Sequence, residues 1–323
     1  MGDRLGSDSG ATPGLAVVAI GGNSLTTRGR NSYQDQYGKL QETCNQIAAL
    51  ARAGWGLVIT HGNGPQVGFI LRRSELASHE VHSLPLDACG ANSQGCIGYA
   101  LQQNLGNAFR RAGVKRKVAT LITQVEVDPK DEAFTLPSKP IGSFLDEPAA
   151  EKWREKGWSL MEDAGRGWRR VVPSPKPQSI VELPLLSSLV SAGVVVVALG
   201  GGGIPVTRDD LGQLRGIPAV IDKDLASALL AEHLGADLLA ICTGVEKVAL
   251  HFGKPEEVAL DHLTLTEARR YLQEGVHFAA GSMGPKVEAI VRYLDQGGQR
   301  AIVTRPERLM EAFTGETGTH FSP

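Results

Sequence analysis

Three apolar runs in this chain break straight into glycine clusters. Residues 16–20 end in Gly21-Gly22-Asn23, residues 57–60 in His61-Gly62-Asn63-Gly64, and residues 194–199 in Gly200-Gly201-Gly202-Gly203. A short apolar run bounded by turn residues predicts a buried strand. Glycines after such a strand let main-chain N–H groups approach an anion that side chains would keep away. A following helix N-terminus adds partial positive charge. One such turn fits an ordinary tight turn. Three predict a cleft lined with backbone donors, and so a phosphorylated or carboxylated ligand.

The segments between these runs have helical period. Residues 33–53 place Leu40, Cys44, Ile47, Ala48 and Ala51 on one face and stop at Gly54. Residues 65–77 open with a proline suited to a first turn, and residues 91–112 carry Ile97, Leu101, Leu105 and Ala108 on one face. Further strands are expected at 55–60, 118–125, 236–243 and 300–304, and further helices at 180–191, 222–234, 265–274 and 286–295. This alternation predicts an α/β fold with a largely parallel sheet and helices on both faces. Residues 128–177 break the rhythm with prolines, glycines and charges. They also hold Trp153, Trp158 and Trp168, which argues against disorder. They read as a subdomain or lid inserted into one domain, 15–323, behind a loose tail, 1–14.

A length of 323 residues with 42% hydrophobic content allows a sizeable core. A formal net charge of −2 gives no reason to expect nucleic-acid or membrane-surface binding. The four cysteines, Cys44, Cys89, Cys96 and Cys242, form no C-x-x-C pair, which argues against zinc and for reduced thiols in a cytosolic setting. The tail lacks the apolar stretch of a signal peptide, and no apolar run approaches a membrane span.

No G-x-x-x-x-G-K-[ST] occurs, which excludes a Walker-type site. Gly62, Gly64 and Gly68 give a loose G-x-G-x-x-x-G, a poor match to a dinucleotide fingerprint. Phosphoryl transfer needs fixed positive charge beside backbone donors. Three lysines stand at element ends: Lys139 in Pro137-Ser138-Lys139-Pro140-Ile141-Gly142 and Lys286 in Gly281-Ser282-Met283-Gly284-Pro285-Lys286, on loops shaped by glycine and proline, and Lys223 in Ile221-Asp222-Lys223-Asp224, between two aspartates where an apolar run ends. Asp222 and Asp224 suit either a helix cap or the orientation of lysines or Mg²⁺. His61 suits a base or a turn-capping role. Gly165-Arg166-Gly167-Trp168-Arg169-Arg170 suits a phosphate clamp or a basic hairpin face.

Taken in order, these segments resemble the amino-acid kinase superfamily and, within it, the carbamate kinases. The resemblance runs from about residue 16 to 319. It adds Ser93-Gln94-Gly95, Glu162-Asp163 and Val171-Val172-Pro173-Ser174-Pro175 to the motifs above. It implies an open, mostly parallel sheet in an αβα sandwich, with 128–177 as a protruding subdomain over the site. The implied reaction is ATP + carbamate ⇌ ADP + carbamoyl phosphate with Mg²⁺, in a homodimer, in the setting of arginine breakdown. Other members of the superfamily place a lysine on the first strand just before the glycines. Ala19 and Ile20 stand there instead, and Lys139 would substitute from the insertion.

The resemblance also implies roles. Gly21, Gly22, Asn23, Gly62, Asn63 and Gly64 would supply donors to carbamate and the transferring phosphoryl. Lys139 and Lys223 would flank that group, Lys286 would reach the nucleotide phosphates, and Asp224 would orient the lysines. Thr243, Gly244 and Val245, with Met283, would shape the nucleotide pocket. Alanine is common in the family at Gly244 and asparagine at His251. No residue is assigned as a resident metal ligand. Carbamate oxygen is already nucleophilic, so in-line transfer requires no strong base, and His61 falls to a turn role.

Overall fold

The computed structural model describes residues 13–21, 33–155, 157–162, 167–278 and 281–323. Nearly all of the expected tail, together with Gly22, Asn23, Asp163, Gly165 and Arg166, lies outside them. Eight strands form the main sheet, in the order His262–Thr264, Thr319–Ser322, Ala301–Thr304, Leu238–Cys242, Leu15–Ile20, Gly56–His61, Val195–Val197, Val118–Thr120. Leu15–Ile20 pairs in parallel with both of its neighbours. Only Thr319–Ser322 meets Ala301–Thr304 antiparallel, and it carries His262–Thr264 parallel to itself.

Side-chain alternation divides two cores across this sheet. Val17, Ala19, Val58, Val196, Leu239 and Ile241 face one, with helices Lys223–His233 and Met283–Asp295. Ala16, Val18, Ile20, Leu57, Ile59, Leu238 and Ala240 face the other, with helices Tyr33–Arg52 and Leu86–Ala112. Burial on both faces explains why these strands read as unbroken apolar runs. Cys44, Cys89 and Cys242 are buried thiols, and burial pushes Cys44 and Cys242 up to about 12. Cys96 is exposed. Among the described residues no helix is long and apolar enough to cross a membrane.

Two elements differ from the sequence expectation for identifiable reasons. The long helix begins at Leu86, five residues before residue 91, with Pro85 at its cap position. The expected strand 118–125 is two strands in different sheets, Val118–Thr120 and Gln124–Val127. The break falls at the buried Thr123. Its N–H donates to Gln94 Oε1 at 2.9 Å, and its hydroxyl accepts the Leu199 N–H at 3.1 Å. Those bonds replace ladder pairing and turn the chain. Gln124–Val127 then joins Pro177–Ile180, Ile204–Arg208 and Leu214–Gly216 in a second sheet of four strands, which the sequence reading did not anticipate.

Within 128–177, Lys139–Leu145, Trp168–Val172 and Leu160–Glu162 form a three-stranded antiparallel sheet beside helix Glu147–Arg154. Trp153 and Trp158 stack at 4.2 Å, with Arg72 over the first and Arg170 over the second. Arg170 also pairs with Glu75 at 2.6 Å, and Arg169 donates to the Gly142 carbonyl. These two arginines therefore fasten the insertion to helix Gly64–Leu76 and to its own first strand. That use favours the hairpin-face alternative over a phosphate clamp.

The joint is tight. A Cβ at Gly68, inside helix Gly64–Leu76, would sit well within 3.0 Å of the Gly142 backbone. Gly106, in helix Leu86–Ala112, has nothing within 4 Å of such an atom. Gly106→Ala is expected to gain about 1 kcal/mol from helix propensity, whereas Gly68→Ala loses stability and exposes 128–177 to limited proteolysis. Equal gains in melting temperature for both variants would contradict the close approach.

His61, the last residue of its strand, is 1% exposed, and burial lowers its imidazole from 6.5 to about 4. Between those values the unfolded chain binds a proton that the fold refuses, so this residue makes stability rise with pH there, and its slope fades as pH climbs past 6.5. Denaturant unfolding of His61→Asn from pH 4.5 to 6.5 should show a slope smaller than wild type by up to about 1.4 kcal/mol per pH unit. Identical slopes would mean an ordinary, solvated imidazole.

Candidate active site

The C-terminal ends of Leu15–Ile20, Gly56–His61 and Leu238–Cys242 lie side by side at one edge of the main sheet. Gly56–His61 follows the first strand in sequence and lies on one side of it; Leu238–Cys242 lies on the other. Chain progression reverses at that point, which is where open α/β sheets leave a crevice for ligands. Gly21 follows the first strand there. Asn63 stands at the N-cap position of helix Gly64–Leu76 without a side-chain cap bond, and Gly64 opens the helix. The Gly64 N–H has no carbonyl one turn back in its own helix.

Gly62 departs from its expected role. Its N–H donates to the Ile20 carbonyl at 2.9 Å, extending the strand pairing by a residue. Donation at this turn therefore falls to its neighbours. The Asn63 side chain is buried and donates to Ser93 Oγ at 2.7 Å. His61 Nδ1 lies 3.2 Å from the Gly62 carbonyl, in keeping with a turn role.

The third glycine cluster bonds within its own turn. Its Gly202 and Gly203 N–H groups donate inward, to the carbonyls of Leu199 and Gly200. A side chain at Gly201 (φ +67°) would collide with Asn63, and one at Gly200 with the His61 ring. Gln94 ties the turn down by donating to the carbonyls of Gly200 and Thr123. This turn is a brace behind the His61–Gly64 turn. Signals for it were present in Gln94 and in the uninterrupted glycines, but the partners are far apart in sequence.

The three lysines of the sequence analysis converge on two carboxylates. Asp222 caps helix Lys223–His233, accepting the N–H of Asp224 at 2.8 Å and of Leu225 at 3.3 Å. Lys139, the first residue of its insertion strand, pairs with Asp222 Oδ2 at 2.5 Å. Asp224 holds Lys223 on Oδ1 at 2.5 Å and Lys286 on Oδ2 at 2.8 Å. Burial pushes Asp224 up, yet Lys223 and Lys286 outweigh it and hold the carboxyl below the usual carboxylate range. Burial lowers Lys223, against the pull of Asp224, and Lys286 lowers it further. Lys286 is raised, because Asp224 outweighs its burial. Three ammonium groups against two carboxylates leave one net positive charge in a largely buried cluster.

Met283 and Lys286 share the first turn of helix Met283–Asp295, so the residue expected at the nucleotide and the lysine expected at its phosphates stand one turn apart. Thr243 follows strand Leu238–Cys242 directly, its N–H on the Thr304 carbonyl at 2.9 Å. Gly244 is exposed and Val245 half-buried. His251 has φ +53°, in the left-handed region that asparagine also favours. No group of three His, Cys, Asp or Glu suited to a metal occurs among the described residues. Each aspartate is taken by lysine, so a divalent ion would be held chiefly by phosphate oxygens brought with a nucleotide, as Mg²⁺ often is.

The amino acid kinase family profile matches residues 14–305. Carbamate kinase of Pyrococcus horikoshii is 48% identical over 315 residues, covering 96% of this chain and 100% of that protein. The carbamate kinase-like protein YahI of Escherichia coli K12 is 48% identical over 312 residues, covering 95% of this chain and 98% of its own. The solved structure of carbamate kinase from Giardia lamblia bound to AMP-PNP superposes with a TM-score of 0.87 at 40% identity, over 95% of this chain and 98% of that one. The chain belongs to the amino acid kinase family and, within it, to the carbamate kinase group.

Proposed function

We propose that this protein catalyses reversible phosphoryl transfer between ATP and carbamate, giving ADP and carbamoyl phosphate. The observation that carries the reading is the cluster of Lys139, Lys223 and Lys286 on Asp222 and Asp224 at the open edge of the sheet. Transfer of a phosphoryl group spreads negative charge over its oxygens, and a preorganised set of cations stabilises that charge without reorganising. Lys139 and Lys223 flank the phosphoryl, Lys286 binds the nucleotide phosphates, and Asp224 orients Lys223 and Lys286. Gly21, Asn63 and Gly64 present backbone donors to carbamate; the same role expected of Gly22 and Asn23 falls outside the described residues. Gly62 shapes that turn. Thr243, Gly244, Val245 and Met283 form the nucleotide pocket.

Mg²⁺ accompanies the nucleotide and neutralises phosphate charge. The insertion 128–177 serves as a lid that brings Lys139 over the site and keeps water out. The protein works as a cytoplasmic homodimer in the breakdown of arginine or related nitrogen compounds. A second reading comes from the carbamate kinase-like name of the Escherichia coli relative: a kinase of the same family acting on another small carboxylate.

Purified protein with Mg²⁺, ADP and carbamoyl phosphate is expected to form ATP, and a panel of acyl phosphates separates the two readings. No ATP from any of them would end the kinase assignment. Lys223→Ala should lower kcat by roughly 10²–10³, the loss typical of removing one donor to transition-state charge. A rate near wild type would remove Lys223 from the mechanism.

A further inference from the structure

Asp222 carries more than its cap requires. A helix N-cap needs one acceptor oxygen, which serine, threonine or asparagine would also supply. Oδ1 does that work, receiving the N–H groups of Asp224 and Leu225. The second oxygen and the charge are spent on Lys139, which lies 83 residues earlier in the chain and in a different sheet from the main one. Asp222 is itself largely buried. Burial pushes it up, and the Lys139 ammonium, with its hydrogen bond, more than offsets this, so the carboxyl stays ionised. Lys139 and Asp224 do not share a bond; the lysines are divided between the two aspartates.

We propose that Asp222 is the positioning residue for Lys139, fixing that ammonium at the N-terminus of the helix that also bears Lys223 and Asp224. A free lysine side chain samples many rotamers, and an insertion strand gives its ammonium no fixed position of its own. Asp222 supplies one: its Oδ1 is pinned by two helix amides, so its Oδ2 is a rigid acceptor. An ammonium has three donors, so the bond to Asp222 leaves Lys139 able to bond phosphoryl oxygens. One carboxylate thereby sets the place of Lys139 and the start of the helix that places Lys223. This inference rests on the reading of Lys139 as a phosphoryl-binding lysine.

The test is a double-mutant cycle in the ATP-forming direction with wild type, Asp222→Asn, Lys139→Met and the double variant. Asparagine keeps the cap oxygen and loses the charge. Asp222→Asn is expected to retain a near-wild-type melting temperature and the wild-type KM for ADP, and to lose between about tenfold and a hundredfold in kcat/KM for carbamoyl phosphate. The double variant should be no slower than Lys139→Met alone. A slow Lys139→Met whose loss multiplies with that of Asp222→Asn overturns this proposal alone, as does an Asp222→Asn enzyme with wild-type kinetics. A wild-type rate for Lys139→Met overturns the reading of Lys139, and the proposal with it. Should Asp222→Asn fail to fold, Asp222→Ser, which keeps a cap acceptor, takes its place in the same cycle.

Discussion

The lysine cluster of this molecule depends on keeping one carboxylate charged inside the protein. Asp224 is 3% exposed, and an isolated buried carboxylate would take up a proton instead of staying ionised. Lys223 and Lys286, one on each oxygen, prevent that. The dependence is mutual. The two ammonium groups would repel each other without the carboxylate between them, and Lys223 is deeply buried. The helix start supports the arrangement through the Asp222 cap, and Ser227 of the same helix bonds Thr60 in the neighbouring strand at 2.6 Å. Cap, helix and strand thus share responsibility for where three positive charges come to rest.

The glycines divide into two kinds of work. Those at Gly21 and Gly64 leave main chain close to the crevice, as strand ends and helix starts do in this class of fold. Those at 200–203 fill space against His61, Asn63 and Ile221 that any side chain would contest. A glycine run can therefore line a crevice or form the back wall of a turn beside it. Spacing in sequence does not separate these cases, because His61 and Asn63, which crowd Gly200 and Gly201, are more than a hundred residues away.

Legibility followed locality. Leu15–Ile20, Gly56–His61 and Leu238–Cys242 were plain in the sequence because burial on both faces leaves unbroken apolar runs ending in turn residues. Lys139, Lys223 and Lys286 stood out through the glycines, prolines and aspartates beside them. The partition of those lysines between Asp222 and Asp224 was not legible, since it joins residues 83 and 62 positions apart. The four-stranded second sheet escaped for a similar reason. Its strands are short, Ile204–Arg208 contains a proline, and side chains of Gln94 and Glu182 help settle the pairing of Gln124–Val127. The family resemblance named Asp224 as the residue that orients the lysines, a pairing that local pattern does not give.

The insertion leaves the second sheet on Gln124–Val127 and returns on Pro177–Ile180, which pair antiparallel with each other. Its two ends are therefore neighbours, and the main sheet closes without reference to what lies between them. Such a segment is a cassette. It can change length or composition over evolutionary time, or be exchanged between homologues by engineering, while the strand order beneath it stays the same. The restraint on such exchange lies at the joint: a replacement has to match the close approach at Gly68, the Arg170–Glu75 pair and the Lys139–Asp222 pair.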